Sequence, residues 1–470
     1  MELKLHCPPA ALAIIRTLQT HGHQAVFAGG CVRDAMRGET PHDWDIATSA
    51  RPQQVEALFP RTIPVGKSFG IIVVIGDDNV NYEVATFRGD SAYSDGRHPD
   101  AVRFVDMEED VRRRDFTVNA MLYDPLASRL YDFAGGQQDL RSGILRAVGD
   151  PRRRFAEDKL RVVRAVRFAA QLNFAIEPLT LSAMAETAPL VKRAVSAERI
   201  AAETEKILLS GASRHGFSLM EECRLLPWLY PELSATAGVE QPPQYHPEGD
   251  VWQHTLKALG IFDETVRRCR NGAPGSPRFD SEGRLQSASD TELRILAWAV
   301  LLHDIGKPAT FVRSADRIRF NNHDVVGADM TRQTLTALHL PGAVIGGASF
   351  LVREHMNQIS LPAARVATRR RKLQSPLFPL QIEIFRIDSL ASSGLTSLHA
   401  RLLQWWQEEQ ARPAPFKPTL CGRDLIDLGI PPGPRIGELL RTAADYELEH
   451  PFASRSAAIS WMRQFLADCS

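Results

Sequence analysis

Residues 27–48 read FAGGCVRDAMRGETPHDWDIAT, and the order of residue types in this stretch decides the architecture of the N-terminal part of the chain. Phe27-Ala28 closes a short apolar run, Gln24–Ala28, that predicts a strand. Gly29-Gly30 follows, then a helix through Met36 and a second predicted strand over Asp43–Ala47. Two consecutive glycines let the backbone approach an anion closely, and a helix starting there points free N–H groups at it. Arg33, one turn into that helix, is placed to add a bidentate phosphate contact. Asp43 and Asp45 stand two residues apart on the predicted strand, so both carboxylates leave one face. Such a pair repels itself unless a cation sits between the two, and Mg²⁺ held by oxygens also grips nucleotide phosphates. A two-metal arrangement activates a hydroxyl and neutralises a pyrophosphate leaving group. Glu83, on a later predicted strand over Asn81–Thr86, offers a third carboxylate. Alone, a glycine pair usually permits a tight turn and Asp-X-Asp is common in surface turns. The order strand, glycine pair, helix, strand, carboxylate pair is what makes the combination specific.

Outward from this stretch, Pro9–Thr20 predicts a helix opened by proline, and Ile71–Ile75 a strand. Asp90–Asp100 reads as a polar loop. From about Arg141 to Ala235 the apolar residues recur with helical period. Gln241–Glu248 is a Pro-rich break running up to Gly249, and Cys269–Asp290 a polar stretch expected to be a mobile insertion between two helices. Helices continue to about Gln410, and three prolines in Arg412–Pro418 precede a small helical tail. The resulting division is 1–140, 141–236, 237–410 and 411–470: a mixed α/β head followed by an all-α remainder.

The 470 residues set a prior of about three domains. An apolar content of 44% and a charged content of 24% are globular values that exclude wholesale disorder. No apolar run approaches the ~18 residues that cross a bilayer, and Pro8-Pro9 with Arg16, Gln19 and His21 break up any cleavable leader. Six cysteines form no metal spacing and no disulfide framework, so a soluble cytoplasmic protein without a membrane or an obligate protein partner is expected. Fifty-six basic residues balance 56 acidic ones, so net charge points to no partner. Local clusters at Arg112–Arg114, Arg152–Arg154 and Arg369–Lys372 have a solvated face as their ordinary explanation.

A second constellation lies at Glu157–Arg167, which predicts one helix carrying Asp158, Arg161, Arg164 and Arg167 at every third position. A carboxylate only accepts hydrogen bonds and a guanidinium only donates them. Cytosine and adenine each show an amino donor beside a ring-nitrogen acceptor, so Asp158 and Arg161 match both bases. Guanine and uracil present the reverse, a mismatch of roughly 1–3 kcal/mol per unsatisfied buried group. The bland reading of the same helix is an ordinary Glu157–Arg161 pair worth a few tenths of a kcal/mol.

The Gly-Gly-Cys-Val-Arg-Asp and Pro-His-Asp-Trp-Asp-Ile-Ala-Thr strings resemble the signature of class II tRNA nucleotidyltransferases and the related bacterial poly(A) polymerases. These belong to the DNA polymerase β-like nucleotidyltransferase superfamily. Further matches are Arg113–Asn119, Asp132–Asp139, Glu157–Arg161, Ser196–Ile200 and, in the tail, Gly422–Gly429. The resemblance implies a polymerase-β-like head, a helical neck with the nucleotide-selecting helix, a helical body and a tail that contacts tRNA. It implies that Asp158 and Arg161 read the base and that Arg164 and Arg167 hold phosphate or ribose. Arg114 contacts the nucleotide on the same grounds, with Asp115 and Asn119 in its motif. The expected activity is template-independent addition of C, C and A from CTP and ATP to a tRNA 3′ end, with Mg²⁺ at the head. An A-adding enzyme or a poly(A) polymerase shares these features. A CC-only enzyme lacks a flexible loop that Arg88–Phe104, with Tyr93–Arg97, resembles.

Residues 240–395 carry another ligand set: His254, His303-Asp304, His323, His355 and Asp388 on successive predicted helices. Imidazoles and carboxylates converging from several helices form a divalent-metal cage. The set resembles the HD phosphohydrolase superfamily, which implies a divalent transition metal or Mg²⁺ and hydrolysis of a phosphoester, such as an RNA 3′ end or a nucleotide. A phosphohydrolase whose head merely binds is therefore the rival from another class.

Overall fold

The structure, a computed structural model, describes residues 5–41, 43–66, 70–90, 102–314, 317–392, 394, 397–412 and 417–468. The chain divides into two compact units, Met1–Ala235 with Ala337–Leu340, and Thr236–Thr336 with Pro341–Ser470.

The first unit contains strands β1 (Ala25–Ala28), β2 (Ile46–Thr48), β3 (Thr62–Gly66), β4 (Ile71–Ile75), β5 (Asn81–Thr86), β6 (Arg88–Asp90), β7 (Val102–Phe104), β8 (Leu122–Asp124) and β9 (Arg129–Tyr131). Seven of them form one sheet in the order β3-β4-β5-β2-β1-β8-β9, and β6 pairs with β7. Only β2 and β5 run parallel within the seven-stranded sheet. Strand alternation divides the core between two faces. Phe27, Ile46, Val74, Val84 and Tyr123 join Ala11, Ile14, Ile15 and Leu18 of the helix Pro9–Thr20, whose i, i+3, i+4, i+7 spacing makes one apolar stripe. Val26, Ala28, Ala47 and Leu122 face the other way, onto Met107, Val111 and Val148.

Two expectations are corrected here. The second strand begins at Ile46 rather than Asp43, although Asp45 still joins the ladder by accepting from the Ala28 N–H at 3.0 Å. Strand β1 ends where Gly29 opens the next helix, so on that side Asp43 and Trp44 have no main-chain partner among the described residues. The i, i+2 logic survives: Trp44 is buried against Phe27 with ring centroids 4.6 Å apart, while Asp43 and Asp45 are exposed. The single helix expected over Glu157–Arg167 is also broken. One helix spans Pro151–Glu157, Asp158 is extended at φ −143° and ψ 108°, and the next helix is Leu160–Leu172. Asp158 Oδ1 accepts from the Leu160 N–H at 3.0 Å, so the carboxylate's preference for a capping bond overrides the helical period. The loop expected over Asp90–Asp100, including Tyr93–Arg97, lies from Ser91 to Ala101 outside the described residues.

The second unit is built on Val251–Asn271, Asp290–Leu302, His323–Ala337, Gly342–Glu354, Phe378–Ala391 and Ser397–Gln410, with a short hairpin of Phe311–Arg313 and Ile318–Phe320. Helix Asp290–Leu302 is buried on all sides from Ile295 onward, as its continuous apolar run requires. The insertion after Asn271, expected to be mobile, is instead tied down. Arg278 forks onto Glu292 at 3.0 and 2.5 Å, Phe279 packs edge-on to Trp406, and the Leu285 N–H reaches Glu383 at 3.3 Å. Composition alone does not reveal these anchors, because their partners lie up to 127 residues away. The tail helices Gly422–Asp427, Pro434–Glu449 and Arg455–Asp468 bury their own cluster, including Leu425, Leu439, Ala458 and Met462. Among the described residues the cysteines are free, and no helix is long and apolar enough to cross a membrane.

Candidate functional site

A cleft of about 980 Å³ in the first unit brings all thirteen head and neck candidates together: Gly29, Gly30, Arg33, Asp43, Asp45, Glu83, Arg114, Asp115, Asn119, Asp158, Arg161, Arg164 and Arg167. Its floor follows from the sheet. The parallel register that sets Ile46 beside Val84 carries Asp45 next to Glu83. Asp45 opens to the cleft, yet partial loss of solvent, then Glu83 and Asp43, lift its carboxyl to about 6 against the pull of Arg114. Asp43, Asp45 and Glu83 are hard oxygen donors of the kind a divalent cation takes, although among the described residues their oxygens do not gather as closely as the ligand sets of the second unit.

Gly29, at φ +80°, is a position that only glycine adopts without strain. A Cβ there would stand 3.3 Å from Arg114 Nη1, so its absence lets that guanidinium close in. Arg114 donates to the Asn119 carbonyl (3.3 Å) and to Asp110 (3.2 Å), and its buried Nε has no hydrogen-bond partner among the described residues. Arg33, expected to offer a free fork to phosphate, is already engaged. Its Nε and Nη2 bind Asp34 at 2.7 and 2.9 Å, and Nη1 binds Asn119 Oδ1 at 2.5 Å. The geometry therefore makes Arg33 and Asn119 a brace between the helix Gly30–Met36 and the turn Thr117–Asn119.

The selecting side is equally organised. Asp158 holds the Leu160 N–H with Oδ1 and Arg199 Nη2 with Oδ2, the latter at 2.8 Å. Arg161 Nη1 donates to Glu157 (2.9 Å) and the Arg154 carbonyl (3.0 Å), while Nη2 donates to the Arg113 carbonyl (3.0 Å). The ordinary Glu157–Arg161 pair is thus present, and it holds Arg161 in the cleft. Asp115 takes both Nε and Nη2 of Arg164 on Oδ2 (3.0 and 2.6 Å); burial alone would raise its carboxyl, but Arg164 holds it below the usual range. Arg167 binds Glu203 at 2.6 Å, and Arg33, Arg164 and Arg167 all lie over the Phe168 ring, 5.5, 5.3 and 3.9 Å from its centroid.

Arg113, Phe168, Arg199 and Lys206 also line the cleft and were not singled out from the sequence. Only Arg113 and Arg199 had a signal, since they sit inside the quoted Arg113–Asn119 and Ser196–Ile200 stretches. The basic clusters are largely paired within their own units. Arg112 meets Glu108, Arg113 and Arg114 meet Asp110, Arg152 meets Glu186, Arg153 and Arg154 meet Glu157, and Arg370, Arg371 and Lys372 meet Glu409, Asp445 and Glu354.

In the second unit all six ligand candidates converge. His254 Nε2 lies 3.1 Å from both His303 Nε2 and Asp388 Oδ1; Asp304 Oδ2 is 3.3 Å from His303 Nε2, and Oδ1 is 3.6 and 3.9 Å from His323 and His355. Ligand atoms of His254, His303 and Asp388 lie within 4.8 Å of one another, as do those of Asp304, His323 and His355 and those of His246, Glu248 and His254. His323 Nε2 is buried without a hydrogen-bond partner among the described residues, and burial followed by His303 pushes His355 down to about 4. Imidazoles with their Nε2 atoms gathered around the buried Asp304 and half-buried Asp388 carboxylates suit a divalent metal. Glu248, His246 and Lys307 were missed from the sequence.

Three family models match the chain: "Poly A polymerase head domain" over residues 25–146, "Probable RNA and SrmB- binding site of polymerase A" over 173–236, and "HD domain" over 251–393. Head domains of this type and HD domains generally use divalent metals. The CCA-adding enzyme of Bacillus licheniformis is 35% identical over 356 residues, 73% of this chain and 87% of the relative. That of Bacillus subtilis is 42% identical over 257 residues, 53% of this chain and 64% of the relative. The solved structure of the Bacillus stearothermophilus CCA-adding enzyme in complex with CTP superposes with a TM-score of 0.70 at 27% identity, covering 98% of this chain and 99% of that one. With the head, RNA-binding and HD models in sequence and a relative matched over most of both chains, the chain belongs to the family of the CCA-adding enzymes.

Proposed function

We propose that this chain is a template-independent nucleotidyltransferase that adds C, C and A from CTP and ATP to tRNA 3′ ends and releases pyrophosphate. The observation that carries the reading is one cleft holding both the carboxylate group Asp43, Asp45 and Glu83 and the polar edge Asp158–Arg161. Asp43 and Asp45, with Glu83 beside them, would hold the head's metal, and their all-oxygen donors suit Mg²⁺. When bound, such an ion activates the primer's terminal hydroxyl and neutralises charge on the departing pyrophosphate.

The chain's own groups do the rest. Asp158 accepts from the amino group of cytosine or adenine while Arg161 donates to the adjoining ring nitrogen. Arg199 holds Asp158, and Glu157 with two carbonyls holds Arg161, so the edge is set before the nucleotide arrives. Arg114, Arg164 and Arg167 supply positive charge for triphosphate and ribose; Asp115 aims Arg164, and Arg33 with Asn119 braces the wall. In this reading residues 1–140 form the head, 141–236 the neck, 237–410 the HD body and 411–470 a tail that contacts tRNA. Asp43→Ala or Asp45→Ala is expected to abolish nucleotide incorporation into tRNA with the fold intact; incorporation retained by Asp45→Ala overturns the assignment of the carboxylates.

A second reading concerns the HD body, where six converging ligands favour metal-assisted hydrolysis of a phosphoester at an RNA 3′ end or on a nucleotide. Asp304→Ala should abolish that hydrolysis and leave nucleotide addition unchanged.

A further inference from the structure

We propose that Glu248 is a positioning residue of the HD centre, fixing the tautomer and orientation in which His254 presents Nε2 as a ligand. The inference rests on the reading of the six converging residues as a metal site.

Three of the four imidazoles find their outer partner locally. His303, His323 and His355 each set Nδ1 against the carbonyl three residues earlier, those of Val300, Phe320 and Val352, at 2.9, 2.8 and 2.6 Å. His303 and His355 follow the last residues of their helices and His323 opens one, positions where such carbonyls are not all consumed by the helix. His254 is different. It is the fourth residue of the helix Val251–Asn271, and the carbonyl three residues back, that of Val251, already accepts from Thr255 Oγ1 at 2.9 Å.

Its outer acceptor therefore comes from another segment. Glu248 Oε1 lies 2.6 Å from His254 Nδ1 and 2.9 Å from His246 Nδ1, and its side chain is only 6% exposed. With the proton of His254 held on Nδ1, the Nε2 lone pair faces His303 and Asp388. A carboxylate acceptor in this place also makes the imidazole a stronger donor than a carbonyl would. The Gln241–Glu248 stretch, which reads as a linker by composition, braces a second ligand as well. Gln241 Oε1 accepts from Lys307 Nζ at 2.6 Å, and Lys307 pairs with Asp304 Oδ2 at 2.7 Å.

The test uses the full chain carrying Asp43→Ala and Asp45→Ala, so that the head contributes no metal binding, as parent for Glu248→Ala, Glu248→Gln and Asp304→Ala. Each is titrated with Mn²⁺ by calorimetry and with Co²⁺ by visible absorption, and the Tm of each metal-free protein is recorded. Glu248→Ala is expected to weaken binding about 10- to 100-fold and to shift the Co²⁺ d–d bands. Glu248→Gln, which keeps an oxygen acceptor without the charge, should fall between and keep the parent's metal-free Tm. Parent-like affinity and an unchanged Co²⁺ spectrum in both Glu248 variants would overturn the positioning role while leaving the metal reading in place. Equal binding by the parent and Asp304→Ala would overturn the metal reading, and the positioning role with it.

Discussion

Arg161→Ala tests how the cleft chooses between bases. The guanidinium is preorganised: Nη1 and Nη2 are already fixed by Glu157 and by the carbonyls of Arg154 and Arg113. Water replacing it cannot reproduce that fixed geometry, so the loss falls on the bond to the ring nitrogen. A hydrogen bond to a charged group contributes about 1.5–3 kcal/mol. At about 1.4 kcal/mol per decade, kcat/KM for CTP and ATP should drop roughly 10- to 150-fold. UTP and GTP offer a ring N–H to the same guanidinium, gain nothing from it, and should change little, so discrimination collapses by the same factor. Glu157 keeps Arg154 Nη2 at 2.7 Å, so no carboxylate is stranded and the fold should survive. The assay is kcat/KM for each of the four nucleotides on tRNA ending before CCA and on tRNA ending in CC. An equal fall for all four nucleotides would refute base reading by Arg161 and reduce it to a general support of the cleft.

Gly29→Ala forces a side chain into a positive-φ position 3.3 Å from Arg114, and should cost about 1–2 kcal/mol in stability while raising the KM for nucleotide; an unchanged Tm and KM would contradict the close approach. Asp115 has a depressed folded-state pKa, so its stabilising contribution is present above the unfolded value of about 3.9 and is lost as pH falls through the folded one. The Tm gap between wild type and Asp115→Asn should hold from pH 5 upward and narrow below about pH 4; a gap that widens in acid would reverse the sign. Glu383 is fully buried and accepts from Thr265, the Leu285 N–H and both Nε and Nη2 of Arg386, so Glu383→Ala strands a buried guanidinium and should cost about 3–5 kcal/mol, read as lost denaturant stability. A small loss would mean that the insertion after Asn271 is anchored elsewhere.

What was legible in the sequence was what local order encodes. The helix Pro9–Thr20, the strands Ile71–Ile75 and Asn81–Thr86, and the Gly29-Gly30 to Asp45 sequence follow from periodicity and turn chemistry acting over a few residues. Every cleft residue proposed from the sequence lines the cleft, because the carboxylate pair and the arginine series each sit within one short stretch. The break at Asp158 was hidden because helical period and capping preference compete there, and period alone was read. The supporting partners were hidden for a different reason. Arg199 reaches Asp158 from 41 residues away and Arg164 reaches Asp115 from 49, separations at which sequence spacing carries no information. Arg33 lines the cleft, but its bonds to the neighbouring Asp34 and to Asn119, 86 residues on, were not read from its motif position. Glu248 stood in a stretch whose prolines suggested a linker, and only the fold shows that segment against His254.

Purified protein, Mg²⁺ and three tRNA transcripts, ending before CCA, after the first C and after CC, test the proposed reaction most directly. Each is incubated with single nucleotides and with CTP plus ATP, then resolved to single-nucleotide length. Extension of the shortest transcript to a complete CCA, with no incorporation of GTP or UTP, is the predicted result. Addition of one A to the CC-ended transcript alone would replace it with an A-adding enzyme, long A tails with a poly(A) polymerase, and no extension of any transcript would contradict the nucleotidyltransferase reading of the cleft.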